Sequence, residues 1–180
     1  KGSVNTFLNA MTFEDKTMYP VASQNERDLY HLMDVYMDAV FHPNILRDPR
    51  IMMQEGWHYE LTKPEAPVTI KGVVYNEMKG AFSSSDTVLR REINRALFAD
   101  TPYGYESGGA PEAIPQLTQE KFLAFYKKYY HPSNSFILLY GDMKMEEYLE
   151  WLDMHYLGEM TAQEGYGPEL LPEQPAFTEP

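Results

Sequence analysis

Apolar and polar positions along the chain change period several times, and each change predicts an element. Residues 4–13 and 16–22 carry strand-like sequence on either side of the polar pair Glu14-Asp15, which predicts two strands joined by a tight turn. From Asn25 to Phe41 the period lengthens. Leu29, Leu32, Met33, Tyr36 and Val40 form one helical stripe, with Asn25 placed to cap its start and Pro43 to close it. Asp48-Pro49 opens a second helix running through Met52 and Met53 toward Trp57, because proline suits the first helical position. Short strands are placed near residues 57 and 68, separated by the proline-punctuated loop 62–67. Val73, Val74, Met78 and Ala81 then recur at spacings of three and four around Glu77. That spacing predicts a helix which turns Glu77 toward apolar neighbours and breaks near Gly80 or in the serine run 83–85.

Asp86 is read as the cap of a further helix through Leu97, with Arg90, Arg91 and Arg95 on its solvent side. Residues 99–117 form a long loop rich in Gly, Pro and Tyr, a length that points to a functional segment or one packed on a partner domain. Thr118 starts a helix carrying Phe122, Phe125 and Tyr129, stopped by His131-Pro132. Residues 135–141 read as a strand and 146–157 as a helix, while 158–180 holds four prolines and no periodicity. The organisation expected is a partial domain over 1–157 followed by an acidic, proline-rich linker over 158–180. The fold class expected is α+β, a largely antiparallel sheet with helices packed on one face.

Composition narrows the function classes. The hydrophobic share of 43% is ordinary for a globular chain and argues against wholesale disorder. The longest apolar run, residues 136–140, is far too short to cross a bilayer, and the polar start Lys1-Gly2-Ser3 does not read as a signal peptide, so no membrane role is expected. The chain does not open on Met, and we read it as a piece of a longer polypeptide. It has no cysteine, which excludes disulfides and thiolate metal sites and fits a reducing compartment such as a bacterial cytoplasm or an organelle matrix. The net charge of −12 disfavours nucleic acid, which needs a positive face. Residues 142–180 carry −9 of it, with Lys144 their one cation. That segment reads as a solvated helix plus an acidic linker, although an acidic surface also draws cationic peptides.

Glu77 is the residue that the chemistry singles out. A carboxylate among apolar neighbours is rarely fully buried unless it is paired or bound to a metal. The residues alone leave open a metal ligand, an ion pair with Lys or Arg, and a position at a rim. Zinc hydrolases use three protein ligands, commonly two His one helical turn apart, and keep a position open for water. His31, His42, His58, His131 and His155 are scattered, and neither His-x-x-Glu-His nor His-Glu-x-x-His occurs within residues 1–180. No catalytic base of that type is therefore assigned in this chain. Ser83, Ser84 and Ser85 lack a nucleophile-elbow context and read as a loop. Met33, Met37, Met52 and Met53 read as core filler. Residues 2–12 allow two readings: an ordinary core strand with Asn9 at a turn or bulge, or an open edge that an extended peptide could join.

Gly72-Val73-Val74-Tyr75-Asn76-Glu77-Met78-Lys79-Gly80-Ala81 resembles the distal-ligand helix of the pitrilysin-type zinc peptidases, specifically their presequence-protease branch. Gln54-Glu55-Gly56-Trp57 and the proline-rich loop precede it in the order that family would have. Gly2 to Thr12 resembles the family's substrate-pairing edge strand. Tyr105-Glu106-Ser107-Gly108-Gly109, residues 111–115 and Tyr130-His131-Pro132-Ser133-Asn134 resemble the same branch and are read as structural. The resemblance covers most of residues 2–141.

The resemblance implies that Glu77 is the third ligand of a Zn²⁺ ion and that Asn9 and Ala10 lie beside the scissile bond of a bound peptide. It places the His-x-x-Glu-His helix, with the catalytic base, upstream of this chain. One position departs: the second acid that many relatives carry seven residues before the ligand falls on Ile70, which removes that supporting role. The whole enzyme so implied is a zinc metalloendopeptidase, a chamber of two homologous halves that degrades short unstructured peptides. This chain would be a piece of its first half and inactive alone, its partners being an extended peptide and the enzyme's remaining domains. The alternative is a scaffold or assembly domain of the same fold that has lost zinc. An upstream His-x-x-Glu-His decides between the two.

Overall fold

The computed structural model describes residues 6–162 and 170–178. The expected start of the first strand at Val4, and Gly2 to Asn5 of the edge-strand motif, lie outside those residues, as do positions 163–169 of the expected linker. β1 (Thr6–Leu8) pairs with β4 (Val21–Ser23), and β2 (Met11–Thr12) pairs with β3 (Thr17–Met18), both antiparallel. One register runs through both ladders, from Thr6 opposite Ser23 to Thr12 opposite Thr17. The Phe13 N–H donates to the Lys16 carbonyl at 2.8 Å, which closes the hairpin over Glu14-Asp15 as expected. Asp28 ties this hairpin to the first helix. Its carboxylate accepts from the Ser23 hydroxyl at 2.6 Å and the Thr6 hydroxyl at 2.7 Å, and those two bonds, Ser23 first, hold its carboxyl below the usual range.

Helix α1 (Glu26–Phe41) begins where its cap predicts: the Asn25 side chain accepts from the Asp28 N–H at 3.0 Å. It ends at His42, before Pro43. Met33 of its apolar stripe is buried and joins Tyr148 and Leu152 of α6 (Met145–Leu152) in the main core. Tyr30 stacks on Tyr148 with centroids 4.5 Å apart. Past α6 the chain continues as a wider π-type turn, Asp153–Leu157, which brings Tyr156 back to α1. The Tyr156 hydroxyl donates to the carbonyl and carboxylate of Asp34 at 2.8 and 2.6 Å. Burial, and then that bond, push the hydroxyl's pKa well above the ordinary tyrosine range. Tyr156→Phe is expected to cost about 1 kcal/mol in urea unfolding, since it removes the bond that ties the buried Tyr156 to Asp34. An unchanged midpoint would show that this tie contributes nothing.

Four further α-helices lie among the described residues: α2 (Arg50–Glu55), α3 (Val73–Ala81), α4 (Ser85–Leu97) and α5 (Gln119–Tyr129). A third ladder pairs β5 (His58–Glu60) with β6 (Thr69–Lys71). Thr118 caps α5 by accepting from the Lys121 N–H at 3.2 Å. Three expectations change. Helix α4 begins two residues earlier than expected, with Ser84 at its cap, so Asp86 lies in its first turn. Arg91 is half-buried rather than solvent-facing, because it pairs with Glu112 and its guanidinium lies over the Phe82 ring at 5.1 Å. Most consequentially, the described residues hold three separate two-stranded ladders rather than one sheet, and residues 135–141 pair with none of them. A strand needs a neighbour's backbone groups, and none of the described residues provides them.

Candidate functional site

The hairpin's outer edge follows from its register. In an antiparallel ladder, successive residues turn their N–H and C=O groups to opposite edges. The Asn9 N–H donates to the Pro20 carbonyl at 3.1 Å and Phe13 donates to Lys16, so odd-numbered residues face β3 and β4. Thr6, Leu8, Ala10 and Thr12 therefore turn their backbone groups outward, to an edge with no paired strand among the described residues. Pro20 has no N–H to return to the Asn9 carbonyl, and the ladder breaks there between β1 and β2. The Asn9 side chain folds back so that its Oδ1 accepts the outward Ala10 N–H at 2.9 Å. Both readings of this segment offered by the sequence thus contain something of what is seen: Asn9 sits at an interruption, and the strand edge beside it is open.

Glu77 sits on α3, and the structure fixes how that helix is held. Gly72, just before its first residue, has φ 155°, and its backbone presses on that of Gly56 and Trp57. A Cβ at Gly72 would stand 2.1 Å from the Gly56 carbonyl oxygen, so no other residue fits. That carbonyl accepts the Tyr75 N–H at 3.4 Å, one of the otherwise orphaned donors of the first turn. Trp57 is anchored in turn by its Nε1–H, which donates to the Leu117 carbonyl at 2.9 Å. On the other flank, Met78 packs on Gly108. The segment 99–117 is consequently a buttress rather than a free loop. Thr101 and Ile114 in it are buried, two short 3₁₀ turns shape it, and Gly109 takes φ 89° beside Ile114.

With its helix so fixed, Glu77 is exposed, and so are Val73 and Val74 beside it. The expectation that this face turns inward is corrected: Met78 and Tyr75 pack, while the side bearing Glu77 has no cover among the described residues. No hydrogen bond or ion pair from a described residue reaches the Glu77 carboxylate. Ile70 lies in β6 opposite Tyr59, half-buried and unable to support a metal ligand. Four of the five histidines are engaged elsewhere: His58 with the Met53 carbonyl at 2.7 Å, His155 with the Trp151 carbonyl at 2.8 Å, His131 with the Ser133 N–H at 3.1 Å and His42 with the Asp38 carboxylate at 3.3 Å. Among the described residues, no three His, Asp or Glu side chains come together in a way that could hold a metal ion. Glu77 is thus an accessible carboxylate on a rigid helix, with no further metal-ligand set beside it among the described residues.

Residues 116–180 match the family model described as the peptidase M16 inactive domain. The chain is 57% identical over 157 residues to Protein HypA of Clostridium perfringens, an alignment covering 87% of this chain and 16% of that protein. The chain belongs to the M16 peptidase family. Among its relatives there, it is 51% identical to presequence protease 1, chloroplastic/mitochondrial, of Arabidopsis thaliana, over 86% of this chain and 15% of that protein. It is 44% identical to the mitochondrial presequence protease of Danio rerio, over 84% of this chain and 15% of that protein. The chain thus spans a small part of the length of the relatives it matches. No helix among the described residues is long and apolar enough to cross a membrane.

The sequence did not single out Gly56 and Gly72 as a contact pair. The signal available to it was a glycine directly before a helix, in a place where Ser, Thr, Asp or Asn is the usual cap.

Proposed function

We propose that this chain supplies one zinc ligand and the substrate-pairing strand of a zinc metalloendopeptidase that acts on short, extended peptides inside a two-half chamber. The observation carrying this reading is an exposed, unengaged carboxylate, Glu77, on a helix held from two sides. Such a group is inexpensive to leave in water and ready to bind a cation. Bound zinc supplies a Lewis acid and an activated water. The chain's own residues do the rest of the work assigned here: Glu77 fixes one ligand direction, and the outward edge of Thr6 to Thr12 holds the peptide extended.

On that edge the backbone groups of Leu8, Ala10 and Thr12 bind a peptide through its main chain, so its side chains need not match any sequence. Asn9, released from the Ala10 N–H, can then hydrogen-bond the peptide beside the bond to be cut. The acidic balance of the chain favours cationic peptides at long range. Glu77, Asn9 and Ala10 all precede the 116–180 stretch that matches a domain described as inactive. Because residues 1–180 hold one of three ligands, the chain alone retains no zinc and cuts no peptide.

The edge can be tested without disturbing the fold. Ala10→Pro removes an outward N–H at a place where strands tolerate proline, while the ladder to β3 and β4 keeps its bonds. In a polypeptide extended upstream to the paired histidines, KM for an unstructured peptide should rise by about tenfold, the worth of one hydrogen bond, with melting nearly unchanged. An unchanged KM removes the edge from substrate binding. An extension that carries no His-x-x-Glu-His would replace the peptidase reading with the scaffold.

A further inference from the structure

The tip of the β2–β3 hairpin, helix α4 and the loop that follows it meet around an open cavity of about 310 Å³. Contacts already in place hold its walls. The Tyr103 hydroxyl donates to the Asp15 carboxylate at 3.0 Å, which fixes the hairpin tip to the loop, and the Tyr103 ring sits edge-on to Phe98 with centroids 6.2 Å apart. A Cβ at Gly104 would stand 2.5 Å from the Phe98 carbonyl oxygen, so the loop lies against the end of α4 by its backbone. Arg91, also in the lining, is spent on Glu112 and the Phe82 ring.

Other polar groups of the lining are not spent. Arg90 and Asn94 stand one turn apart on one face of α4, Glu14 lies at the hairpin tip, and Glu106 and Ser107 lie on the loop. No hydrogen bond or ion pair from a described residue reaches any of these five side chains, although opposite charges share the cavity. Asn94, Glu106 and Ser107 are half-buried, where an unmet polar group costs more than it does in open water. The open charges do not cancel: two carboxylates, Glu14 and Glu106, share the lining with one guanidinium, Arg90. A simple anion there would meet both carboxylates, and a simple cation would meet Arg90. A ligand that answers all three carries one anionic and two cationic groups.

We propose that this cavity binds a free basic α-amino acid, lysine or arginine, with its carboxylate on Arg90 and Asn94 and its two cationic groups on Glu14 and Glu106. A volume near the lower limit of ligand pockets admits a molecule of that size and no folded partner. The site needs neither zinc nor Glu77, so it stands or falls apart from the peptidase reading.

Titration calorimetry with L-lysine tests it, in the polypeptide extended to the length of the relatives and at low ionic strength, because charges this near the surface are screened by salt. Saturable binding with a Kd in the millimolar range or tighter is expected. L-alanine, which lacks the second cation, and lysine amide, which lacks the carboxylate, should each bind about tenfold more weakly, the worth of one charge-assisted hydrogen bond. Arg90→Gln should remove the preference for lysine over lysine amide, and Glu106→Gln the preference for lysine over alanine. Melting should be unchanged in both, since neither side chain bonds to a described residue. Absence of binding, equal affinity for the three ligands, or preferences that survive both substitutions would overturn the proposal. Inorganic phosphate binding as tightly as lysine would replace it with a plain anion site, and equal binding of Nα-acetyl-lysine would assign the cavity to the C-terminal end of a peptide instead.

Discussion

Glu77→Gln, made in the polypeptide extended upstream to the paired histidines, should abolish stable zinc binding and lower kcat/KM on peptides by on the order of 100-fold or more, given that removing groups merely supporting a metal ligand already costs 10- to 100-fold. Glutamine keeps the size and shape of the side chain and removes the charge that a dication needs. The structure gives a specific reason to expect a clean result. Glu77 is exposed and bonds to no described residue, so the fold loses nothing with its charge, and stability should change by less than about 0.5 kcal/mol. Metal content after dialysis and steady-state kinetics are the readouts. A variant that keeps full zinc and full activity would return Glu77 to an ordinary surface acid.

Gly72→Ala should be the most damaging small substitution near the site. The new Cβ would meet only backbone, the Gly56 carbonyl oxygen at 2.1 Å, its carbon at 2.6 Å and the Trp57 Cα at 2.7 Å, and none of these can rotate aside. Alanine also disfavours the φ of 155° that Gly72 adopts. Overpacking and backbone strain together should cost about 2–4 kcal/mol in urea unfolding and move α3 off the β5–α2 connection. Gly108→Ala is the control. Its Cβ would also clash, at 2.5 Å, but with the Met78 sulfur, the adaptable part of a flexible side chain, so about 1 kcal/mol is expected. Similar, small losses for both would mean that the Gly56–Gly72 contact does not hold the helix.

What the sequence made legible is mostly what is satisfied within a few residues. The caps at Asn25 and Thr118 and the ends of α1 and α5 each depend on a side chain reaching an N–H three residues on, or on a proline that stops the chain, and the hairpin over Glu14-Asp15 closes through a backbone bond between Phe13 and Lys16. The apolar stripe of α1 was readable because it meets α6, which the chain contains. The orientation of Glu77 was not. Periodicity places Val73, Val74 and Glu77 near one another on a helix but cannot say whether anything lies across from them, and here that face is uncovered. The strand expected at 135–141 differs for the same reason: alternation describes a surface suited to a sheet, and a sheet exists only when another backbone arrives. The contact between Gly72 and Gly56 joins two elements distant in sequence, and no local pattern encodes it. The site residues themselves came from resemblance to a family, and the structure adds how each is held: Ala10 on an open edge with Asn9 across its N–H, and Glu77 fixed between a glycine contact and a buttressing loop.

The central claim, that Glu77 completes a zinc site whose other ligands lie upstream, is tested most directly by anomalous diffraction at the zinc edge from crystals of the extended polypeptide. One anomalous peak is expected, with a Glu77 carboxylate oxygen about 2.0–2.2 Å from it and two histidine nitrogens at similar distance. A zinc ion fully ligated with Glu77 remote from it, or a zinc-soaked crystal with no peak beside Glu77, would contradict the claim.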